Sequence, residues 1–156
     1  MDVVHIETSI VSYLRQKPSS QVVTAARQLL THQWWNHERE NYQLVVSQYV
    51  IDEASAGDPT LATERLQALD GIPLLPHDPE VPRIATEIMA IGVLPPKAQV
   101  DALHIATVAH HRVQYLLTWN CKHIANPSLR RIIDEVLLAA DVSPPIICTP
   151  QELINV

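Results

Sequence analysis

The chain has 156 residues, of which 47% are hydrophobic and 18% charged, with a net charge of −6. This length and apolar content suit one domain with a buried core, and exclude a disordered chain or a basic nucleic-acid coat. The glycines Gly57, Gly71 and Gly92 stand too far apart for a Gly-rich phosphate loop or a nucleophile elbow. Dinucleotide oxidoreductases, P-loop NTPases and elbow-type hydrolases are therefore excluded. Cys121 and Cys148 lack C-x-x-C spacing, so neither a zinc knuckle nor a disulfide framework is suggested. No apolar run approaches the ~18 residues of a membrane span, and no basic segment precedes the N-terminal apolar stretch. The expected setting is soluble, reducing and cytoplasmic.

In chain order, Val3–Ile6 opens as a short buried strand. A helix comes next, with Val22, Ala26, Leu29 and Leu30 on its expected apolar face. Projected at 100° per residue, Trp34 falls on the flank of that face and Trp35 lies off it. Two readings stay open for this pair: a surface for a second copy or a partner segment, or packing against the Asn36–Gln43 loop. Leu44–Ser47 is the second strand. Asp58-Pro59 caps a helix that Gly71 closes, and Ile72–Leu75 is the third strand. Asp78-Pro79 starts a helix with Ile84, Ile88 and Ile91 inward, closed by Gly92. A helix beginning near Val100 feeds the fourth strand, Tyr115–Thr118. Asn126-Pro127 caps the last helix, and Ile146–Cys148 is the fifth strand. Strands alternating with helices predict an α/β fold: a three-layer α/β/α sandwich around a central parallel sheet of about five short strands, as one domain over residues 1–156.

Ligands of such sheets bind outside the carboxyl ends of the strands. Glu7 follows the first strand, with Thr8 and Ser9 behind it. Glu53 lies about a turn and a half into the helix after the second strand. Asp101 stands in the first turn of the helix leading to the fourth strand, and Asn120 follows that strand. Each has a bland reading: Glu7 and Asp101 as helix-dipole partners, Glu53 as a solvent-facing residue beside Asp52. Together they predict one cleft. Three carboxylates in close company raise one another's pKa unless a cation intervenes, and Mg²⁺ or Mn²⁺ takes oxygen ligands and bridges to phosphate. The chemistry this predicts is metal-assisted attack of water on a phosphodiester.

The segments HIETSIVSYL, VVSQYVIDEASAGDP, QVDALHIATVAHH and YLLTWNCKHIANP resemble, in order and spacing, the PIN domain family of small metal-dependent ribonucleases, which includes the VapC-like toxins. The resemblance runs through the ICTPQEL terminus. It implies catalytic positions at Glu7, Glu53, Asp101 and Asn120, with Glu7, Glu53 and Asp101 as metal ligands. Glu7 stands where aspartate is usual and Asn120 where an acid is usual. The glutamate keeps its charge on a longer arm. The asparagine keeps an oxygen donor and loses a charge, which bears on a second ion. The function implied is an endoribonuclease hydrolysing RNA, in a toxin–antitoxin setting with a partner protein blocking the cleft and a homodimer as the expected assembly. The alternative is a catalytically weak or inactive PIN-fold module for RNA binding or interaction. A phosphatase with a carboxylate nucleophile is disfavoured, because Glu7-Thr8-Ser9 lacks a second acid.

The remaining candidates are polar or basic. The Thr8 and Ser9 hydroxyls are candidates for phosphate contact, with helix capping an equal account of Ser9. Lys122, His123, Arg130 and Arg131, in the locally cationic stretch 97–131, are candidates for the RNA backbone, and a solvated face is the rival reading. His104 shares a helix face with Asp101 at i, i+3, a spacing compatible with metal ligation, but it reads as a core-packed histidine. His110-His111 lacks metalloprotease spacing and marks a helix end.

Overall fold

The computed structural model describes residues 1–155. Four strands form one parallel sheet: β1 (Val3–Ile6), β2 (Gln43–Val45), β3 (Tyr115–Leu117) and β4 (Ile146–Cys148), in the order β2-β1-β3-β4. Among the described residues seven α-helices accompany them: α1 (Thr8–Arg15), α2 (Val22–Gln33), α3 (Gln48–Ala54), α4 (Pro59–Leu69), α5 (Glu80–Ala90), α6 (Gln99–His110) and α7 (Pro127–Ala139). Pleating sorts the strand residues into two cores. Val4, Ile6, Leu117 and Cys148 join the helix residues Ile10, Val50 and Leu69. Leu116 and Ile147, from the opposite face, join Ile84, Ile88, Ile105 and Leu137. The three-layer sandwich arises from that alternation.

The predicted third strand is corrected to a single bridge. Within Ile72–Leu75 only Leu74 pairs, with Val46. Val46 N donates to Pro73 O (3.0 Å) and Leu75 N to Val46 O (2.8 Å). Pro73 has no N–H to extend the ladder at one end, and Pro76 has none at the other. The helix punctuation behaves as capping chemistry requires. Asp58 Oδ2 accepts from Leu61 N at 3.0 Å, and Asn126 Oδ1 from Ser128 N at 3.0 Å. Gly71 and Gly92 take φ of +78° and +81° just past α4 and α5. On α5, Ile84 and Ile88 are buried while Ile91, beyond the last helical residue, is 44% exposed.

For residues 22–35 one expectation is overturned and one open alternative is settled. The apolar stripe of α2 faces largely outward: Val22 is 85% exposed, Leu29 71% and Ala26 is exposed, only Leu30 packs partly against the core, and Gln28 and Thr31 are buried. Polar anchoring decides this orientation. The Gln28 amide donates to Lys17 O (2.9 Å) and accepts from Ser19 N (2.9 Å). Thr31 Oγ1 accepts from the buried Trp119 Nε1 at 2.7 Å. Thr31→Val is thus expected to cost about 1–3 kcal/mol by leaving the indole N–H without an acceptor. Chemical denaturation of the two proteins measures it; equal midpoints would mean that Trp119 finds another acceptor.

Trp34 and Trp35 are buried in the β1 core, which removes the pair as a partner surface. They open a five-residue π-helical segment, Trp34–Glu38. Its wider turn breaks the 100° phase on which the projection relied. Trp34 stacks on Tyr42, with ring centroids 6.0 Å apart, and Arg39 lies 4.3 Å over the Trp35 ring. Packing against the 36–43 loop is the reading that holds.

Candidate metal centre

The chain leaves β1 towards β2 on one side and reaches β3 on the other, so the order in which strands are added reverses between β1 and β3. Glu7 ends β1 at this point, and its N–H continues the ladder to Leu117 O at 3.1 Å. Glu7 is buried and caps α1, with Oε2 accepting from Ser9 N at 3.1 Å. Its Oε1 accepts from both Ser9 Oγ and Thr118 Oγ1, each at 2.5 Å. Those hydroxyls accept in turn: Ser9 Oγ from Trp119 N (2.8 Å), Thr118 Oγ1 from Asn120 N (2.9 Å). One carboxylate thus ties the ends of β1 and β3 together.

Glu53, near the end of α3, meets Glu7 from the β2 side. Its Oε1 accepts from Thr8 Oγ1 (2.6 Å) and lies 2.6 Å from Nε2 of His104, a wholly buried α6 residue. Ligand atoms of Glu7, Glu53 and His104 all lie within 4.8 Å of one another. A cation bound to oxygen at about 2.1 Å spans roughly 4 Å between opposed ligand atoms, so this spacing fits one divalent ion with little movement.

Burial pushes Glu53 up, but the His104 hydrogen bond and charge, with Thr8, outweigh it and hold the carboxyl below its usual range. Burial lowers His104, yet its bond to Glu53 and the charges of Glu7, Glu53 and Asp101 raise it above the ordinary histidine value. Both shifts favour the ion-paired form of the two side chains. An ion therefore competes with a proton, and binding is pH-dependent.

The expected trio of Glu7, Glu53 and Asp101 is only partly brought together. Asp101, one turn before His104 on α6, places Oδ2 2.9 Å from His123 Nδ1. Asn120 turns Oδ1 to the N–H of His123 (3.0 Å), serving the turn after β3. Thr8 and Ser9 spend their hydroxyls on Glu53 and Glu7. Of the basic candidates, Lys122 and Arg131 are exposed. Arg130 instead donates to Ile147 O (3.2 Å) and Pro145 O (2.7 Å), a structural engagement. The groove of about 520 Å³ that Arg130 and Arg131 help to line also holds Asp134, Glu135 and Glu152, a mixed-charge surface.

Sequence reasoning weighed His104 as a ligand but read it as core-packed, and it missed Thr118. The Asp101–His104 spacing was the available signal for the first; the polar end of YLLT, at a strand's carboxyl end, was the signal for the second.

Asn120→Asp is expected to keep the turn, since the acceptor to His123 is retained, and to tighten Mn²⁺ binding on the order of tenfold through added charge. Calorimetric Mn²⁺ titration of both proteins decides; equal affinity places residue 120 outside the ion's environment.

No family model matches the sequence, and no curated protein matches it. Among solved structures, a chain of the Rickettsia felis VapBC2 complex, solved bound to a DNA fragment from their promoter, is similar. The TM-score is 0.53 with 13% identity, over 94% of this chain and 98% of that one. The likeness is one of fold. It covers nearly the whole of both chains. Among the described residues, no helix is long and apolar enough to cross a membrane.

Proposed function

We propose that the protein is a PIN-type, Mg²⁺- or Mn²⁺-dependent endoribonuclease that hydrolyses RNA phosphodiesters, acting in the cytoplasm as the toxin of a toxin–antitoxin pair. The observation that carries this reading is the convergence of Glu7, Glu53 and His104 at the sheet's reversal point, with Asp101 one turn away. Two carboxylates meeting without a lysine or arginine among their hydrogen-bond partners make a seat for a divalent cation. When bound, the ion supplies positive charge that polarises the phosphodiester and acidifies an attacking water.

The chain's own residues set the geometry. Ser9 and Thr118 fix the Glu7 rotamer, and Thr8 fixes Glu53, so both carboxylates are preorganised before substrate arrives. Asp101 Oδ2 meets the His123 imidazole while Asn120 accepts from the His123 backbone N–H, which together hold that residue against the start of α6. Lys122 and Arg131 remain as exposed cations for the RNA backbone. The outward stripe of Val22, Val23 and Leu29 on α2 supports a covered surface, for the antitoxin or for the second protomer of a homodimer.

A second reading, an RNA-binding or interaction module with weak or no catalysis, is favoured by one observation: Asp101 and Asn120 are engaged with His123 and do not join Glu7 and Glu53. RNA cleavage assayed with Mg²⁺, with Mn²⁺ and with EDTA, alongside Glu53→Gln, separates the two. Metal-dependent cleavage lost in the variant supports the nuclease; retained RNA binding without cleavage under any ion supports the module.

A further inference from the structure

Among the described residues, three imidazole nitrogens are buried without a protein partner: both of His5 and Nδ1 of His104. Both residues are 0% exposed, and their rings lie 6.2 Å apart at 50°. Buried polar atoms are nearly always paired, so three orphans in two neighbouring rings call for an explanation. His5 lies on β1 two residues before Glu7, and a strand's period of two puts residues 5 and 7 on one face. His104 meanwhile turns Nε2 to Glu53 within the carboxylate cluster. A ligating histidine ordinarily passes its other N–H to an acceptor, which fixes the tautomer and the ring. The unpartnered acceptor beside His104 is His5.

We propose that His104 Nε2 is a nitrogen ligand of the divalent centre and that His5 is its positioning residue, making a mixed carboxylate–imidazole site that selects Co²⁺ and Mn²⁺ over Mg²⁺. This rests on the metal-centre reading above and adds to it the ion preference. Mg²⁺ is hard, keeps its waters and demands oxygen ligands in near-ideal octahedral geometry. Imidazole suits the softer first-row ions, whose affinity for such a site climbs from Mn²⁺ to Co²⁺. Two carboxylates alone would bind Mg²⁺ and Mn²⁺ with a smaller spread. The nitrogen widens it. With ring centroids 6.2 Å apart the two rings do not bond directly, and His5 offers a ring nitrogen to receive the His104 Nδ1–H across one buried water.

The experiment uses the full chain. Mg²⁺, Mn²⁺ and Co²⁺ are each titrated calorimetrically, and the Mn²⁺-loaded protein is examined by pulsed EPR for ¹⁴N coupling. The expected result is Mn²⁺ bound at least ~100-fold more tightly than Mg²⁺, with a ¹⁴N signal that His104→Gln removes. His5→Phe should weaken Mn²⁺ binding by roughly 10–100-fold while the ¹⁴N signal persists, as a positioning role requires. His5→Gln, which restores an acceptor oxygen, should recover part of that loss. Mn²⁺ bound without ¹⁴N coupling overturns the proposal and leaves the carboxylate metal centre standing. No binding of any of the three ions overturns both. Should His104→Gln fail to fold, the wild-type EPR signal and the His5 variants still decide.

Discussion

Glu7→Gln is expected to lower divalent-ion affinity and RNA cleavage by roughly 100-fold or more while the protein stays folded. The loss at the centre is of charge, since a neutral amide offers one oxygen to a cation that two carboxylates otherwise attract. The structural cost is smaller. Ser9 Oγ and Thr118 Oγ1 both donate to Glu7 Oε1, and an amide oxygen placed there keeps both bonds. The amide nitrogen then faces the N–H of Ser9, donor against donor, where Oε2 had accepted at 3.1 Å. That mismatch costs about 1–3 kcal/mol, a drop of roughly 2–10 °C in melting temperature for a chain of this size. Calorimetric Mn²⁺ titration, metal-free melting and RNA cleavage are measured on the same preparations. Unchanged Mn²⁺ affinity would remove Glu7 from the ligand set and leave it as the cap of α1.

The second large effect is on acid stability. Burial, with the charges of His104 and His111, pushes His5 down to about 3 from its ordinary 6.5. Below pH 6.5 the unfolded chain takes a proton on this histidine that the folded chain refuses until about pH 3. The His5 contribution is therefore full above 6.5 and falls with decreasing pH across that window, by roughly one kcal/mol per pH unit. Glu53 adds to the acid loss at the lower end: its carboxyl is held down, so its stabilisation disappears as pH falls through the lowered value. His104 acts on the other side. Its raised pKa gives stability that is present below 6.5 and lost as pH climbs through the folded value. His5→Phe, similar in size and without a titrating group, should flatten the acid limb by about one proton and leave the alkaline limb alone. Urea denaturation from pH 3 to 9, without metal, measures both limbs. Parallel acid limbs in the two proteins would mean that folded His5 takes up its proton as readily as the unfolded chain. The same variant is expected to bind Mn²⁺ less well, so residue 5 exchanges stability for function.

How much of the molecule is legible in its sequence depends on the element. β1, β3 and β4 are legible because short β-branched or leucine runs, bounded by polar residues, have few other places to go. The caps Asp58 and Asn126 are legible because a side-chain acceptor before proline is local chemistry. The 72–75 segment is not, since its apolar pattern carries no information about a missing donor at Pro73 until its neighbour is known. The α2 face escapes periodicity because Gln28 and Thr31 are held inward by Lys17, Ser19 and Trp119, contacts that a helical projection does not see. At the site, Glu7 and Glu53 are legible from their places at the carboxyl ends of strands. His104 is legible only in its i, i+3 spacing from Asp101, and because α6 buries Ala102, Ile105, Ala106, Val108 and Ala109 all round, that spacing is outweighed by the look of a core-packed histidine. Asp101 falls in the expected turn, but its partner His123 arrives from a loop 22 residues later.

The engagement of Arg130 bears on how another protein can join this sheet. Along β4, Ile146 and Cys148 use their backbone groups toward β3, so the carbonyl of Ile147 points to the open edge. There the Arg130 guanidinium takes it, together with Pro145 O, and occupies the acceptors that an incoming strand would seek. At the opposite edge, the segment carrying Pro73 lies across the end of β2 through its bridge to Val46. Both margins are thus blunted against β-augmentation, one by a cation and one by an imino acid. What the molecule leaves open is side chain and not main chain: an exposed apolar surface lies on α2, at Val22, Val23 and Leu29.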